Sequence, residues 1–260
     1  MSADPCVLVS TALPHVALVT INRPEVRNAI NSEVAHEIGR LVRTFEDDPD
    51  TWCVVLTGAG GKVFSAGADL KVISAGLIHT LFTPDGGFAG FVEARRTKPW
   101  IAAVDGLALA GGCEIALACD MIVASDDAAF GLPEVTRGLV ASAGGAYRLP
   151  RVLPRPIAME LIATGTRLDV ARALDFGMVN HVVPKSETLS RAMQLAASIA
   201  ANAPLAVRES LAIARQAFDH DDSTLMRMCA AAQARVMTTD DFQEGPRAFI
   251  EKRAPCWVGH

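Results

Sequence analysis

Apolar positions along the chain follow two regimes. Up to about residue 125, short runs of Val, Ile, Leu and Ala alternate with stretches where apolar residues recur every three or four positions; beyond about residue 185 only the helical spacing persists. Residues 15–21 read as a strand ending at the turn Asn22-Arg23-Pro24. The next segment, capped by Asn31 or Ser32, sets Val34, Ile38, Leu41, Val42 and Phe45 at helical spacing and stops at Asp47-Asp48-Pro49-Asp50. Residues 52–57 are continuously apolar, as in a strand buried on both faces. A second unit repeats the order, with a strand over 100–104, a turn at Asp105-Gly106, a helix over 111–119 and a strand over 121–124. This alternation predicts a layered α/β core of similar ββα units.

The tail predicts helices over 189–201, 204–218, 223–236 and 240–252. They are rich in alanine and have little core of their own, so they must pack on a neighbour or on the main domain. We therefore divide the chain into a core, residues 1–195, and a helical region, residues 196–260, read as an oligomerisation element. An ordinary intrachain helical layer is the alternative.

Composition narrows the function classes. Half of the 260 residues are apolar and only 5% aromatic, so Ala, Val, Leu and Ile build the core. The net charge of −5, with 24 basic and 29 acidic residues, argues against a nucleic-acid partner. No segment approaches the roughly 18 apolar residues of a membrane helix, and the start lacks the charged and apolar regions of a signal peptide. A soluble, cytoplasmic protein without a membrane partner is expected. The six cysteines show no CxxC or Cys/His spacing, and His36-Glu37 does not complete HExxH, so we expect reduced thiols and no metal.

Two carboxylates stand out in segments nearly free of charge: Glu114 in Leu109-Ala110-Gly111-Gly112-Cys113-Glu114-Ile115 and Glu134 in Phe130-Gly131-Leu132-Pro133-Glu134-Val135. A glutamate among apolar neighbours is costly unless paired, protonated or used, so the two read as an acid/base pair. Cys113 beside Glu114 reads as packing, since no histidine accompanies it. Thr57-Gly58-Ala59-Gly60-Gly61 lacks the phosphate-loop endings and reads as a plain turn. Phe64-Ser65-Ala66-Gly67-Ala68-Asp69-Leu70-Lys71 and Ala110-Gly111-Gly112 carry small residues that let backbone approach a ligand. Their free N–H groups, the second set at a helix start, are suited to an oxyanion hole that stabilises a thioester enolate. Asp69 reads as the cap of the following turn.

Together with Ile21-Asn22-Arg23-Pro24-Glu25-Val26-Arg27-Asn28-Ala29 and Glu244-Gly245-Pro246-Arg247-Ala248-Phe249-Ile250-Glu251-Lys252-Arg253, these segments make the chain resemble an enoyl-CoA hydratase of the crotonase superfamily almost from end to end. The resemblance implies a spiral of ββα units with a C-terminal helical region, assembled as a trimer or a dimer of trimers. It also implies that Ala68 and Gly111 donate their amides to the thioester oxygen and that Ala66, Ala68, Asp69, Leu70 and Lys71 line the coenzyme A channel. Glu114 and Glu134 match the two hydratase glutamates, with Glu114 activating water and Glu134 delivering a proton to C2. Arg27 and Lys71 are the cations expected to meet the coenzyme A phosphates, with Phe249 and Lys252 reaching the nucleotide of a neighbouring subunit. The activity implied is reversible hydration of a trans-2-enoyl-CoA, without metal or redox cofactor, coenzyme A being part of the substrate. Isomerisation of an enoyl-CoA, dehydration of a specialised acyl-CoA and non-catalytic acyl-CoA binding are the rivals. Residues 72–92 are expected to wall the acyl site. Ala110 in place of a third glycine, a missing proline in 137–147, Tyr147 and Trp100 depart from the pattern and bear on the substrate.

Overall fold

A computed structural model describes residues 4–260. Strands β1 (Val7–Leu13) and β2 (Val16–Ile21) pair antiparallel and lead into α1 (Ser32–Asp47). Then come β3 (Cys53–Gly58), β4 (Val63–Ser65), the short α2 (Leu70–Ser74) and a small ribbon of β5 (Phe82–Thr83) and β6 (Gly87–Phe88). The next unit holds β7 (Trp100–Val104), β8 (Leu107–Leu109) and α3 (Gly111–Ala118). After it follow β9 (Met121–Ser125), β10 (Ala129–Gly131) and a 3-10 turn over Pro133–Arg137. Helices α4 (Gly145–Val152) and α5 (Arg155–Thr164), strand β11 (Arg167–Asp169), α6 (Val170–Asp175) and β12 (His181–Val183) complete the sheets.

The units β3–β4, β7–β8 and β9–β10 each give their first strand to one sheet and their second to another. The first sheet has the order β1-β2-β3-β7-β9-β12 and the second β11-β10-β8-β4. From β2 onward every pair in the first sheet is parallel, as are β4, β8 and β10 in the second. The loops that follow β4, β8 and β10 therefore emerge side by side along one edge. Ligand sites form outside the carboxyl ends of parallel strands for this reason. The layered α/β reading of the core stands, as does its ββα repeat. The second strand of each unit, only three residues long, is missing from the reading because alternation needs a longer run to show.

Strands β3 and β7 are buried on both faces, with Val54 and Leu56 turned toward the layer containing α1. Cys53 and Val55 face the other way, onto Ala192 and Ala196 of α7 (Thr188–Ala200). The line drawn at 195/196 thus falls inside a helix that covers one face of the main sheet, and α7 belongs with the core. Beyond it lie α8 (Pro204–Ala214), α9 (Asp222–Val236) and α10 (Asp240–Glu251), close to the expected bounds. The exception is α8, expected to reach 218. Its end tightens into turns closed by Gln216 N to Ile213 O and Ala217 N to Ala214 O. Arg215 turns inward there and donates to both oxygens of Asp120 at 2.7 and 2.8 Å and to the Arg96 and Lys98 carbonyls. Large apolar side chains stay exposed on and around the last helices, among them Phe218, Met226, Phe249 and Ile250. Among the described residues no helix is long and apolar enough to cross a membrane.

Helix α1 is held at both ends. The Asn31 side chain accepts from Val34 N at 3.0 Å, which settles the choice between Asn31 and Ser32. At the other end Lys98, only 2% exposed, donates its ammonium to the carbonyls of Phe45 and Asp48, where the helix dipole is negative. Glu46 returns the link by accepting from Thr97 N at 2.8 Å and from its hydroxyl at 2.7 Å. Lys98→Met keeps the stem but leaves buried carbonyls without a donor. We expect it to lose about 2–3 kcal/mol in urea unfolding, with the activity of the folded fraction retained.

Candidate active site

One cavity of ≈ 550 Å³ lies along the edge where β4, β8 and β10 end. Arg27, Ala66, Ala68, Asp69, Leu70, Lys71, Gly111, Glu114 and Glu134 all line it, so nearly every residue named from sequence comes to one place. Phe249 and Lys252 do not line it: they sit at the end of α10, with Phe249 85% exposed.

Two main-chain turns meet at the cavity floor. Ala68 bridges Ile30 in parallel fashion: Ile30 N donates to Gly67 O at 2.8 Å, and Asp69 N donates to Ile30 O at 2.9 Å. Because strand amides alternate in direction, the Ala68 N–H points the other way. Gly111 is the first residue of α3, where the N–H has no intrahelical acceptor. The two turns touch: a Cβ on Gly67 would lie 2.6 Å from Gly111 N, and one on Gly111 would lie 2.5 Å from the Phe88 ring. Gly67 also holds φ +85, the left-handed region. Gly112 is fixed just as tightly, since its Cβ would meet Ser65 O at 2.1 Å.

Asn28 explains why the segment around it is needed. It is 1% exposed with φ +53, a conformation asparagine tolerates. Its amide donates to Ala59 O at 2.9 Å and Val63 O at 2.7 Å, while its carbonyl oxygen accepts from Arg23 N at 3.0 Å. Arg27 O accepts from Ala66 N at 3.0 Å, tying this turn to the loop that carries Gly67 and Ala68. Asp69 caps α2, accepting from Lys71 N at 3.1 Å, and pairs with Arg23 at 3.1 Å.

Glu114 lies on the first turn of α3 and is 3% exposed; its Oε1 accepts from Gly145 N at 2.9 Å. Burial pushes its carboxyl up to about 7; the Gly145 bond opposes this and the charge of Glu134 adds to it. Glu134, 8% exposed on the Pro133–Arg137 turn, is also raised by burial. Its Oε2 is buried and has no partner among the described residues. Positions three apart eclipse on a 3-10 turn, so Arg137 shares the side of Glu134 and partly offsets that rise. Two carboxyls of raised proton affinity thus face one cavity, an arrangement able to share a proton and so offer an acid and a base together.

Several contributors have no counterpart in the sequence reading. The Gly145 amide that orients Glu114 is one. Arg148 donates to Ala143 O at 3.1 Å and Val92 O at 2.6 Å, binding the loop before α4 to the 72–92 segment. Arg137 and Arg167 line the cavity as well. The wall from 72–92 is built by Ile73, Ile78, Leu81, Phe82 and Phe88. Trp100 and Tyr147, two of the departures from the family pattern, lie outside the lining; Trp100 is buried against Phe45 and Phe91. Ala110 does line it, and carries φ 51 and ψ −129. Cys113 is wholly buried with its thiol pushed above the usual range, consistent with packing. Among the described residues no group of three or more His, Cys, Asp or Glu is placed to hold a metal ion.

The raised carboxyl of Glu114 has a sign for stability. The folded chain keeps its proton to about 7 while the unfolded chain releases it near 4.5, so the native state binds more protons in that window and stability falls as pH rises through it. By the shift, the wild type gives up about 3 kcal/mol between those limits. Urea midpoints at pH 5 and pH 8 are expected to show that Glu114→Gln lacks this part of the slope and is the more stable chain at pH 8.

Known proteins share this architecture over its whole length. The family model described as enoyl-CoA hydratase/isomerase matches residues 12–260. Carnitinyl-CoA dehydratase of Escherichia coli (strain K12) is 40% identical over 246 residues, 93% of this chain and 94% of its own. The enzyme of the same name from Proteus mirabilis (strain HI4320) is 42% identical over the same shares. Among solved structures, enoyl-CoA hydratase from Mycobacterium tuberculosis H37Rv superposes with a TM-score of 0.94 at 42% identity, covering 99% of this chain and 100% of the other. A carnitinyl-CoA dehydratase from Mycobacterium avium 104 gives a TM-score of 0.77 at 44% identity, covering 98% and 100%. The chain belongs to the enoyl-CoA hydratase/isomerase family, within the crotonase superfamily.

Proposed function

We propose that the chain is an enoyl-CoA hydratase, adding water reversibly across the 2,3 double bond of a trans-2-enoyl-CoA to give a 3-hydroxyacyl-CoA. The observation that carries this reading is the presence of two buried carboxyls, Glu114 and Glu134, in the cavity that also exposes the Ala68 and Gly111 amides. The thioester oxygen sits between the two amides. Ionised Glu114, oriented by Gly145 N, takes a proton from water as its oxygen bonds to C3. The electron pair of the double bond moves onto the thioester oxygen, where the amides stabilise the enolate. Protonated Glu134 then delivers its proton to C2. Return of one proton from Glu114 to Glu134 resets the pair, and dehydration is the same path reversed. Coenzyme A enters as part of the substrate, with no separate cofactor, and the enzyme acts in the cytoplasm.

A second reading is favoured by the 40–42% identity to carnitinyl-CoA dehydratases: the working direction is loss of water from a specialised 3-hydroxyacyl-CoA. The same carboxyl pair serves both. A panel of enoyl-CoA and 3-hydroxyacyl-CoA thioesters separates them, read by the conjugated thioester absorbance. Glu114→Gln and Glu134→Gln are each expected to lower kcat at least 100-fold with the fold intact. An isomerase needs only one base, so full turnover in Glu114→Gln rejects hydration; saturable binding with no change in absorbance across the panel identifies a mere binder.

The assembly belongs to this proposal too. The exposed apolar side chains of the last helices pack between copies in a trimer or dimer of trimers, bringing Phe249 and Lys252 to a neighbour's coenzyme A. Sedimentation at micromolar concentration is expected to give three or six chains per particle; a compact monomer rejects the assembly.

A further inference from the structure

The cavity carries four cationic side chains, and they occupy two separate banks. Arg27 and Lys71 belong to the β4 side, since Arg27 O is bonded to Ala66 N and Lys71 lies on α2. Arg137 and Arg167 belong to the opposite side: Arg137 ends the turn that follows β10, and Arg167 opens β11. In the sheet order β11-β10-β8-β4 three strand spacings separate the extremes, about 14 Å. The two banks are thus rooted on opposite walls of the cavity.

The two arginines of the second bank are held close to one another by the fold. Gly165, in the turn before Arg167, packs on the Pro133–Arg137 turn: its Cβ would meet Thr136 Cγ2 at 2.9 Å and Pro133 Cα at 3.2 Å. Gly131 is the register partner of Arg167 and leads directly into that turn. Neither guanidinium makes a salt bridge among the described residues, although the charge of Arg137 is felt at Glu134. Arg137 makes only long bonds, to Pro133 O at 3.4 Å and Thr136 Oγ1 at 3.5 Å. Some arginines elsewhere do pair, as Arg23 with Asp69, Arg151 with Asp219 and Arg235 with Glu209. Both members of the bank are exposed beside Leu139 and Val140, so they stand at the mouth of the cavity rather than at its floor.

We propose that Arg137 and Arg167 form a second anion-binding bank at the cavity mouth, which recognises an oxyanion group of the thioester substrate distinct from any held by Arg27 and Lys71. The fork of a guanidinium suits a phosphate or a carboxylate equally. The anion is either a phosphate of coenzyme A or a carboxylate on the acyl part, and the two sources separate experimentally. The inference rests on the coenzyme A thioester reading above.

Direct calorimetric binding of thioesters that cannot be hydrated tests it without recourse to turnover. The ligands are butyryl-CoA, glutaryl-CoA and butyryl-pantetheine, titrated into the wild type and into Arg137→Met/Arg167→Met. A coenzyme A phosphate on the bank weakens butyryl-CoA and glutaryl-CoA alike, by about tenfold or more, and spares butyryl-pantetheine. An acyl carboxylate there weakens glutaryl-CoA alone by that factor. In either case Arg137→Lys/Arg167→Lys recovers part of the affinity, and the effect shrinks as salt is raised. Unchanged affinity for both coenzyme A thioesters, or an equal loss that includes butyryl-pantetheine, overturns the bank while leaving the hydratase reading intact. Failure of the wild type to bind butyryl-CoA rejects that reading and the bank with it.

Discussion

The site depends on one close approach of backbone to backbone. Gly67, at the turn after β4, lies against the amide nitrogen of Gly111 at the start of α3, with no room for a side-chain carbon between them. That approach sets two otherwise unrelated N–H groups, from loops remote in sequence, beside one another and aims them into the same cavity. Much of the surrounding detail serves it. Asn28 and Ser65 pin the first turn, with Ser65 Oγ donating to Asn28 O at 2.8 Å and accepting from Gly67 N at 3.2 Å. Gly112 lets α3 sit directly on Ser65 O, and the parallel pairing of β4 with β8 brings the two turns to the same edge.

The carboxyls follow from the same geometry. Glu114 is on the helix that begins with Gly111, so its side chain is carried into the same cavity by the helix itself. Glu134 comes from the next strand end in the sheet, one position further along. Burial in a cavity whose walls are largely apolar raises the proton affinity of both, and the Oε2 of Glu134 is a buried acceptor without a partner among the described residues. A buried acceptor left without a partner in a well-packed chain is a cost to folding.

Much of this was legible in the sequence, and for physical reasons. Carboxylates among Ala, Cys, Ile and Leu advertise their burial cost, and glycine runs at strand ends advertise close approach. The long helices and the strands 52–57 and 100–104 show clear periodicity or continuous apolar runs and appear where expected. Three-residue strands such as β4, β8 and β10 do not, because their existence is decided by pairing rather than by local pattern. Gly145, Arg148, Arg137 and Arg167 were equally silent: each matters through an atom it presents to a residue far away in the chain. The partition at 195/196 followed the loss of strand signal, whereas the fold lays α7 across the sheet and counts it as core.

Ala110 carries a further consequence. Its φ of 51 with ψ of −129 is a conformation glycine adopts freely and alanine only at a cost of about 1–3 kcal/mol, while its methyl faces the cavity and lies at the contact with Gly67. Stability and pocket shape are therefore set against each other at a single carbon atom. A chain drifting toward greater stability would shed that methyl, and in doing so would enlarge the cavity where the two turns meet.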